Sequence, residues 1–499
     1  MSTYTPPPVG TRYATKEAYL AARGALIAAD RAQHPTTTAS PSSALESRAN
    51  AVVASLKQRE ISTTNTATIP LGFEPGHKFL HGIPHPIARS SLFAIASRAP
   101  KGALLHCHLD AMLPPSLLLE DARRQPNLCI RTDAPLTSAA FLAAALPTFQ
   151  VLPEADVRAA EESGVSVFES RTVDGIWTLF KRSFMVLRGL TGYVTAWKNH
   201  FKRVLWHCAR DGIGYAEIRV PMKWDNFVWR DDGTAQLNRR EMIGLLKEVL
   251  EQEEPKIKGE GLVWWGVKFI YGSFRLAERE NMKWMMDDAI DLKQAYPDLI
   301  CGFDMQGQED DGHSHLHWIQ ELLDFRARCD ELGLDYPFIF HAGETLTTAT
   351  SSNLYDAILL STKRIGHAFS LARHPLLTQL CRDRGIAIES CPISNEVLGL
   401  TPSGIKNHPL PILLGHGVPC TLNSDDPGCW DAGLLSHDWY QVLVADSEMD
   451  LRGWRRLAEW SLEYSCMPEG NRAEAMRAFA QEWERFCGWV VETYGNEME

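Results

Sequence analysis

Histidine and carboxylate side chains recur at the ends of short apolar segments of this chain. His106 and His108 are two residues apart in a strand-like segment, so both imidazole rings leave the same face of the strand. Further polar groups that end such segments are His341, His367, Asp425 and Asp426. Burying them for packing alone would be costly, and adjacent carboxylates repel each other unless a cation lies nearby. The pattern therefore predicts a metal site.

Three imidazole nitrogens and one carboxylate oxygen suit zinc with an open coordination position for water. We predict that one zinc ion per chain is held by His106, His108, His341 and Asp425. A site with two metal ions is the alternative, because barrels of that type often bridge the ions with a carboxylated lysine on the fourth strand. Here the fourth strand offers Asp304 and Gln306 but no lysine, which favours a single ion.

Eight short apolar segments carry polar or ionisable groups at their ends. They are Ala103–Asp110, Gly214–Val220, Trp264–Tyr271, Leu299–Gly307, Phe338–Glu344, Arg364–Phe369, Ile386–Ser394 and Pro419–Asp426. Helix-like stretches separate them, which predicts the α/β class and a TIM-type (β/α)8 barrel with its chemistry at the C-terminal ends of the strands. An open doubly wound sheet is the alternative. That fold would usually show a glycine-rich phosphate turn after its first strand, where this chain has His-Cys-His.

Parts of the chain fall outside this alternation. We predict a disordered N-terminus over residues 1–15, a helical extension over residues 16–99 and the barrel over residues 100–495. A subdomain inserted in the barrel after its first strand is predicted over residues 114–172. The insertion is inferred because more than fifty residues precede the helix near Trp177, longer than a plain connection.

Composition excludes several classes of protein. The 499 residues include 50 basic and 62 acidic side chains, a net charge of −12, which argues against a general binder of nucleic acid or anionic membranes. No apolar segment approaches the roughly 18 residues of a membrane span. The N-terminus lacks the pattern of a secretory signal, and the 11 cysteines are odd in number and scattered, so a reduced, cytoplasmic protein is expected.

Five motifs, in chain order, resemble those of the adenosine deaminase family: Lys101–Asp110 (KGALLHCHLD), His341–Glu344 (HAGE), Arg364–His367 (RIGH), Ser390–Asn395 (SCPISN) and Ser424–Pro427 (SDDP). The chain is more similar still to the adenosine deaminase-related growth factor branch, the extracellular-type adenosine deaminases. The segments that carry this are Phe303–Ser314 (FDMQGQEDDGHS), Asn407-His408-Pro409 and Ser436-His437-Asp438. The resemblance implies a barrel of the amidohydrolase kind over roughly residues 85–490.

The resemblance also implies an activity, the hydrolytic deamination of adenosine and 2′-deoxyadenosine to inosine and ammonia by attack of metal-bound hydroxide on purine C6. Glu344 matches the acid that protonates ring N1, which requires a raised pKa, and His367 matches the histidine that orients or deprotonates the water. Expected nucleoside contacts are Asp110 with the ribose hydroxyls, Trp177 in the pocket wall, Gly307 with ring N3 and Asp426 with ring N7.

Several alternatives stay open at this point. The substrate could instead be AMP, adenine or an N6-substituted adenosine, and a catalytically silent signalling protein would share the scaffold. Because the branch is typically secreted, an extracellular location is the alternative to a cytoplasmic one. The N-terminal helices resemble the dimerisation helices of the branch, which suggests a homodimer.

Two sets of charged residues are interpreted as structural. Glu217 and Arg219 on the second strand are expected to form an ion pair beneath the site. Lys181, Arg182 and Arg188 could bind a phosphate if AMP were the substrate, but a solvated helix face is preferred.

Overall fold

The computed structural model describes residues 8, 12–33, 42–63, 87–124, 173–223, 228–347, 352–401, 404–430 and 432–498. Most of the N-terminal segment expected to be disordered, and residues 125–172 of the expected insertion, lie outside the described residues. The division into domains therefore stays a prediction.

Eight parallel strands form the centre of the fold. They are β1 (Gly102–Leu104), β2 (Ile213–Pro221), β3 (Gly266–Phe274), β4 (Ile300–Gln306), β5 (Ile339–Ala342), β6 (Arg364–His367), β7 (Ala387–Ser390) and β8 (Cys420–Leu422). The strands pair in chain order as two sheets of four, β1 to β4 and β5 to β8. Consecutive parallel pairing is the order of a barrel and differs from that of a doubly wound sheet.

Single parallel bridges join the two sheets at both edges. Phe303 in β4 pairs with Phe338 just before β5, and Cys107 after β1 pairs with Asp425 after β8. The second joint includes backbone hydrogen bonds from Asp425 to His106 (3.1 Å) and from His108 to Asp425 (3.2 Å). The joint that closes the barrel thus brings three of the predicted metal ligands together.

Sixteen α-helices lie among the described residues. The first eight are α1 (Lys16–Gln33), α2 (Ala44–Thr63), α3 (Ser91–Arg98), α4 (Pro115–Ala122), α5 (Val173–Leu190), α6 (Val194–Arg210), α7 (Arg239–Gly259) and α8 (Arg279–Ala295). The others are α9 (Ile319–Glu331), α10 (Asn353–Leu359), α11 (Pro375–Arg384), α12 (Pro392–Val397), α13 (Leu410–Gly415), α14 (Leu434–Ala445), α15 (Leu451–Glu463) and α16 (Glu469–Tyr494). In the part of the chain that the structure describes, no helix has the length and apolar character needed to cross a bilayer.

Local sequence explains why these segments take these forms. All nine residues of β2 are buried, as expected for a parallel strand with both faces covered. In α6 the buried Trp197, Phe201 and Leu205 recur every four residues, so one face of the helix packs against the core. Asn238 caps α7 by accepting a hydrogen bond from the backbone of Glu241, whose carboxylate accepts one in return.

The helix α2 is fixed to the C-terminal helices through a buried carboxylate. Glu46 is fully buried and accepts hydrogen bonds from Trp483 Nε1 at 2.8 Å and from Arg455 Nη1 at 3.1 Å. By contrast, α1 leaves about half of each of the side chains Tyr19 and Leu26 exposed. The two N-terminal helices therefore differ in how firmly they pack.

Replacing Glu46 with Ala would leave the Arg455 and Trp483 donors without their buried acceptor. We expect the Glu46→Ala variant to lose about 3 kcal/mol of free energy of unfolding, measured by urea denaturation. Glu17→Ala, at an exposed acid in α1, is the control and should change little. An unchanged urea midpoint for Glu46→Ala would show that α2 does not depend on this contact.

Candidate active site

The four predicted metal ligands come together at the C-terminal ends of β1, β5 and β8. Asp425 Oδ1 lies 3.2 Å from His108 Nε2 and 3.3 Å from His106 Nε2. The ring centroid of His341 lies 4.5 Å from that of His106 and 5.3 Å from that of His108. His367, at the end of β6, joins the cluster, since ligand atoms of His106, His341, His367 and Asp425 all lie within 4.8 Å of one another.

Two atoms in this cluster lack a hydrogen-bond partner among the described residues. His106 Nε2 and Asp425 Oδ1 are buried and make no hydrogen bond to the described residues. Leaving a buried polar atom unpaired costs about 1–3 kcal/mol, so such atoms indicate a missing ligand. A divalent cation with nitrogen and oxygen ligands would satisfy both, and the residues present therefore fit an ion such as zinc.

Buried carboxylates orient two of the histidines. Glu389 lies 2.7 Å from His106 Nδ1, and Asp304 lies 2.7 Å from His341 Nδ1. Each carboxylate accepts a hydrogen bond from Nδ1–H, which leaves Nε2 free to face the cluster as a possible ligand atom. Arg219 links the two acids, with contacts of 2.6 Å to Asp304 and 2.7 Å to Glu389. The ring directions are therefore fixed before any metal binds.

The protonation states of these groups follow from burial and charge. Burial disfavours a charge on Asp304, yet His341 and Arg219 hold the pKa of this acid well below its usual range. Burial lowers the pKa of His341 to about 3, against the pull of Asp304, so this imidazole is neutral. Burial and Arg219 lower the pKa of His106, but Asp425 and Glu389 raise it overall. Metal binding would then displace a proton from His106, and affinity would fall at lower pH.

The expected ion pair between Glu217 and Arg219 is wrong. Both side chains are fully buried beneath the site, but each has other partners. Arg364 lies 2.6 Å from Glu217 and also 2.6 Å from Glu389, while Arg219 pairs with Glu389 and Asp304. The result is a continuous buried layer of five charged side chains, which we call the charge layer: Glu217, Arg219, Asp304, Arg364 and Glu389.

Two residues of the site adopt a backbone conformation that is unfavourable for side chains other than glycine. His367 has φ of 61° and Asp425 has φ of 58°. Strain of this kind is typical of functional sites and persists where the surrounding structure enforces it. Gly366 lies close to His106, because a Cβ atom there would be 2.7 Å from His106 Cε1. The RIGH motif thus needs glycine at this position for packing.

Two further acids near the cluster, Glu344 and Asp426, lie in surroundings that raise their pKa values. Glu344 follows β5, and burial together with the charges of Asp425 and Glu309 raises its pKa well above the usual value. Burial and the charges of Asp425 and Glu344 likewise raise the pKa of Asp426. Glu344 Oε1 is buried without a hydrogen bond to the described residues and lies 3.5 Å from His367 Nδ1. A protonated Glu344 could therefore present its proton to a ligand.

The residues expected to contact the nucleoside follow the ends of β1, β4 and β8 or lie in α5. Asp110 lies in a 3-10 turn after β1, buried, with Oδ1 lacking a hydrogen bond to the described residues. Gly307 follows β4 with φ of 112°, and a Cβ atom built there would meet nothing within 4 Å. Trp177 in α5 is buried and packs edge-on against Phe180 at 5.4 Å. Open space therefore adjoins Gly307, and the roles of all the residues named for substrate contact stay a prediction.

The expectation of a solvated helix face is wrong for Arg188 in α5. Its side chain is mostly buried, and Nε donates to Asp110 Oδ2 at 3.0 Å. Lys181 is more exposed and pairs with Asp311 at 2.6 Å. The side chain of Arg182 lies outside the described part of the structure.

A family model described as adenosine deaminase matches residues 100–481, which is more than half of the chain. The chain belongs to the adenosine deaminase family. It is 34% identical over 444 residues to an adenosine deaminase of Phlebotomus duboscqi, covering 84% of this chain and 82% of that one. It is 30% identical over 471 residues to an adenosine deaminase 2 of Sus scrofa, covering 88% of each chain. The resemblance inferred from the five motifs is confirmed.

Solved structures share the fold at lower identity. An adenine deaminase from Arthrobacter aurescens superposes with a TM-score of 0.57 at 18% identity, covering 77% of this chain and 99% of that one. An amidohydrolase from Burkholderia ambifaria, solved with bound Zn, gives a TM-score of 0.57 at 16% identity, covering 85% of this chain and 98% of that one. The predicted barrel of the amidohydrolase kind is confirmed.

Several residues that build this deaminase site had no role assigned from sequence. Ser394 Oγ donates to Asp425 Oδ2 at 2.6 Å, and the Asn395 side chain lies 3.0 Å from both His367 and His408. Both residues lie in the SCPISN motif, so the motif was visible although its contacts were not. From sequence, Asp304 served only to show that the fourth strand offers no metal-bridging lysine, whereas in the structure it lies 2.7 Å from His341 Nδ1 and orients that ring.

Removing the negative charge from Asp304 should weaken metal binding without removing a ligand. We expect Asp304→Asn to raise the metal Kd 10–100-fold, because His341 loses the carboxylate that fixes its ring, measured by competition with a chelator. Asp291→Asn, at a surface acid paired with Arg240, is the matched control. A folded Asp304→Asn protein with an unchanged Kd would refute the orienting role.

Proposed function

We propose that this chain is a zinc-dependent adenosine deaminase that converts adenosine and 2′-deoxyadenosine to inosine and ammonia. One observation carries the proposal. A buried cluster of histidines around Asp425 lies beside Glu344, an acid whose pKa is raised, at the strand ends of a family barrel. Such a site combines metal ligands with a proton donor, as hydrolytic deamination requires.

One zinc ion per chain would be held by His106, His108, His341 and Asp425. Support comes from the unpaired buried atoms of His106 and Asp425 and from the anchored Nδ1 atoms of His106 and His341. A bound divalent ion would lower the pKa of a coordinated water from 15.7 to about 7. His367 is not counted among the four ligands and is assigned to the reacting water, which it orients or deprotonates.

Glu344 would move a proton to the purine ring. In its protonated form Glu344 donates to ring N1 as C6 becomes tetrahedral, which relieves the negative charge that develops on the ring. The raised pKa favours that protonated form. Asp426, whose pKa is also raised, would donate a hydrogen bond to N7, which is an acceptor.

The remaining contacts would hold the ribose and the ring edge. The Gly307 backbone N–H would donate to N3, where the missing side chain allows close approach. Asp110 would accept from ribose hydroxyls, and Trp177 would line the pocket. AMP is the second candidate substrate, favoured by the guanidinium of Arg188 beside Asp110, since a 5′-phosphate attracts such a group.

The proposed function is tested by ammonia release from adenosine, 2′-deoxyadenosine, AMP, adenine and N6-methyladenosine. We expect turnover of the first two, and its loss when a chelator strips the metal. Turnover restricted to AMP would replace the nucleoside assignment. No turnover of any purine by zinc-loaded protein would refute the enzyme.

A Glu344→Gln variant separates proton donation from metal binding. We expect it to keep its zinc and to lose about 10²–10⁴-fold in kcat, because the amide cannot deliver a proton to N1. Glu280→Gln, an exposed acid in α8, is the control and should match the unmodified protein. Unchanged turnover by Glu344→Gln would reject the acid role of Glu344.

A homodimer through the N-terminal helices is the further proposal for partners. Tyr19 and Leu26 in α1 are seven residues apart, so they lie on the same helix face, and 51% and 52% of their surfaces are exposed. An apolar helix face of this kind would be covered by a second copy of the chain.

Sedimentation velocity tests the dimer. We expect a dimer for the unmodified chain and a monomer for the double variant Tyr19→Ser/Leu26→Ser, with kcat per chain unchanged. Leu332→Ser/Leu359→Ser, at exposed leucines elsewhere, is the control and should stay dimeric. A monomer for the unmodified chain would refute the proposal.

A cytoplasmic location, with an extracellular one as the alternative, stays a prediction. In its support, the ten cysteines among the described residues all carry free thiols, as is usual in a reducing compartment.

A further inference from the structure

A row of hydrogen bonds leads away from His367 into the protein. His367 Nδ1 lies 3.0 Å from the side-chain nitrogen of Asn395. Asn395 Oδ1 lies 3.0 Å from His408 Nε2, and His408 Nδ1 lies 3.1 Å from the backbone nitrogen of Leu410. The three side chains are buried, so water does not compete for these contacts.

The backbone of Leu410 sets the direction of every bond in this row. A backbone N–H can only donate, so His408 Nδ1 must accept and carries no proton. Burial lowers the pKa of His408 to about 3, and the neutral ring therefore has its proton on Nε2. Nε2–H of His408 therefore donates to Asn395 Oδ1, and the amide NH2 of Asn395 faces His367. His367 Nδ1 must accept in its turn.

We propose that Asn395 and His408 are positioning residues that fix His367 as the tautomer with its proton on Nε2. The inference deepens the proposed function and rests on it for its catalytic meaning. Nε2–H of His367 points into the site, 3.8 Å from Asp425 Oδ2. A neutral imidazole that already carries a proton on Nε2 cannot accept another there. His367 therefore orients the attacking water by donating a hydrogen bond to its oxygen and does not deprotonate it.

The same tautomer protects the proton of Glu344. His367 Nδ1 lies 3.5 Å from Glu344 Oε1. A proton on Nδ1 would be donated to this oxygen and would stabilise the carboxylate, which cannot protonate the purine. Because Nδ1 accepts from Asn395, Glu344 faces a lone pair and keeps its own proton. The side-chain amide of Asn395 thus leaves both His367, through Nε2–H, and protonated Glu344 as hydrogen-bond donors.

The Asn395→Asp variant reverses the direction of the hydrogen bond between residue 395 and His367 Nδ1. An aspartate can only accept, so it should draw the proton of His367 to Nδ1. Nitrogen-15 NMR of histidine-labelled, zinc-loaded protein reports the tautomer, and a His367→Asn spectrum assigns the signals. We expect Nε2–H in the unmodified chain and Nδ1–H in Asn395→Asp. We also expect kcat for adenosine to fall about 10²–10⁴-fold, with KM within threefold and one zinc retained per chain. Asn407→Asp, at the exposed neighbour of His408, is the matched control for the added charge.

Substitutions of His408 test the outer end of the row. Glutamine can accept from Leu410 and donate to Asn395, so His408→Gln should keep the tautomer and at least a third of kcat. His408→Leu can do neither and should lose at least tenfold in kcat. His416→Gln, at an exposed histidine after α13, controls for the residue change itself.

The outcomes distinguish this inference from the proposed function. An Nδ1–H signal in the unmodified chain overturns the inference, as does an Asn395→Asp protein with a shifted tautomer and unchanged kcat. Equal kcat for His408→Gln and His408→Leu also overturns it. If no purine is turned over while the spectra show the expected tautomers, the hydrogen-bond direction stands and the proposed function fails. If Asn395→Asp does not fold, the unmodified spectrum and the His408 variants decide.

Discussion

The site depends on holding imidazole rings in fixed directions above a layer of buried charge. Within the charge layer three carboxylates carry −3 and two guanidinium groups carry +2, a sum of −1. Ionised Asp425 brings the total for this group to −2, and a divalent cation would cancel it. Charges buried in this way contribute little net stability compared with apolar packing. The layer is therefore better explained by the orientation it imposes on His106 and His341.

The barrel brings together the strand ends that carry these side chains. The bridge between Phe303 and Phe338 joins β5 to the other sheet, and the ends of β1 and β8 meet at the bridge between Cys107 and Asp425. At this joint Asp425 adopts positive φ, as His367 does at the end of β6, at a cost of about 1–3 kcal/mol each. Surrounding contacts enforce these conformations: Ser394 holds the Asp425 carboxylate, and Asn395 holds the His367 ring.

Sequence predicted the ends of the strands well and the contacts beneath them poorly. His106, His108 and Asp425 were found because parallel strands end at one edge of a barrel, so polar residues there must meet. Glu217 and Arg219 share a face of β2 but are about 6.6 Å apart along the strand, farther than the spacing of about 4.8 Å between neighbouring strands. Their partners therefore came from other strands. The pattern of residues along the chain does not identify which residue of another element will be the ion-pair partner. The same holds for Arg188 in α5, whose partner is Asp110.

His106, His341 and His367 show how one residue type serves two purposes in this site. His106 and His341 each donate a hydrogen bond from Nδ1–H to a carboxylate, which leaves Nε2 available to a metal ion. His367 meets the amide of Asn395 at Nδ1, which donates and leaves the proton on Nε2. The group hydrogen-bonded to Nδ1 of each ring thus decides whether Nε2 of that ring accepts or donates. A carboxylate in place of Asn395 would turn His367 into a further ligand and remove the donor that faces the reacting oxygen.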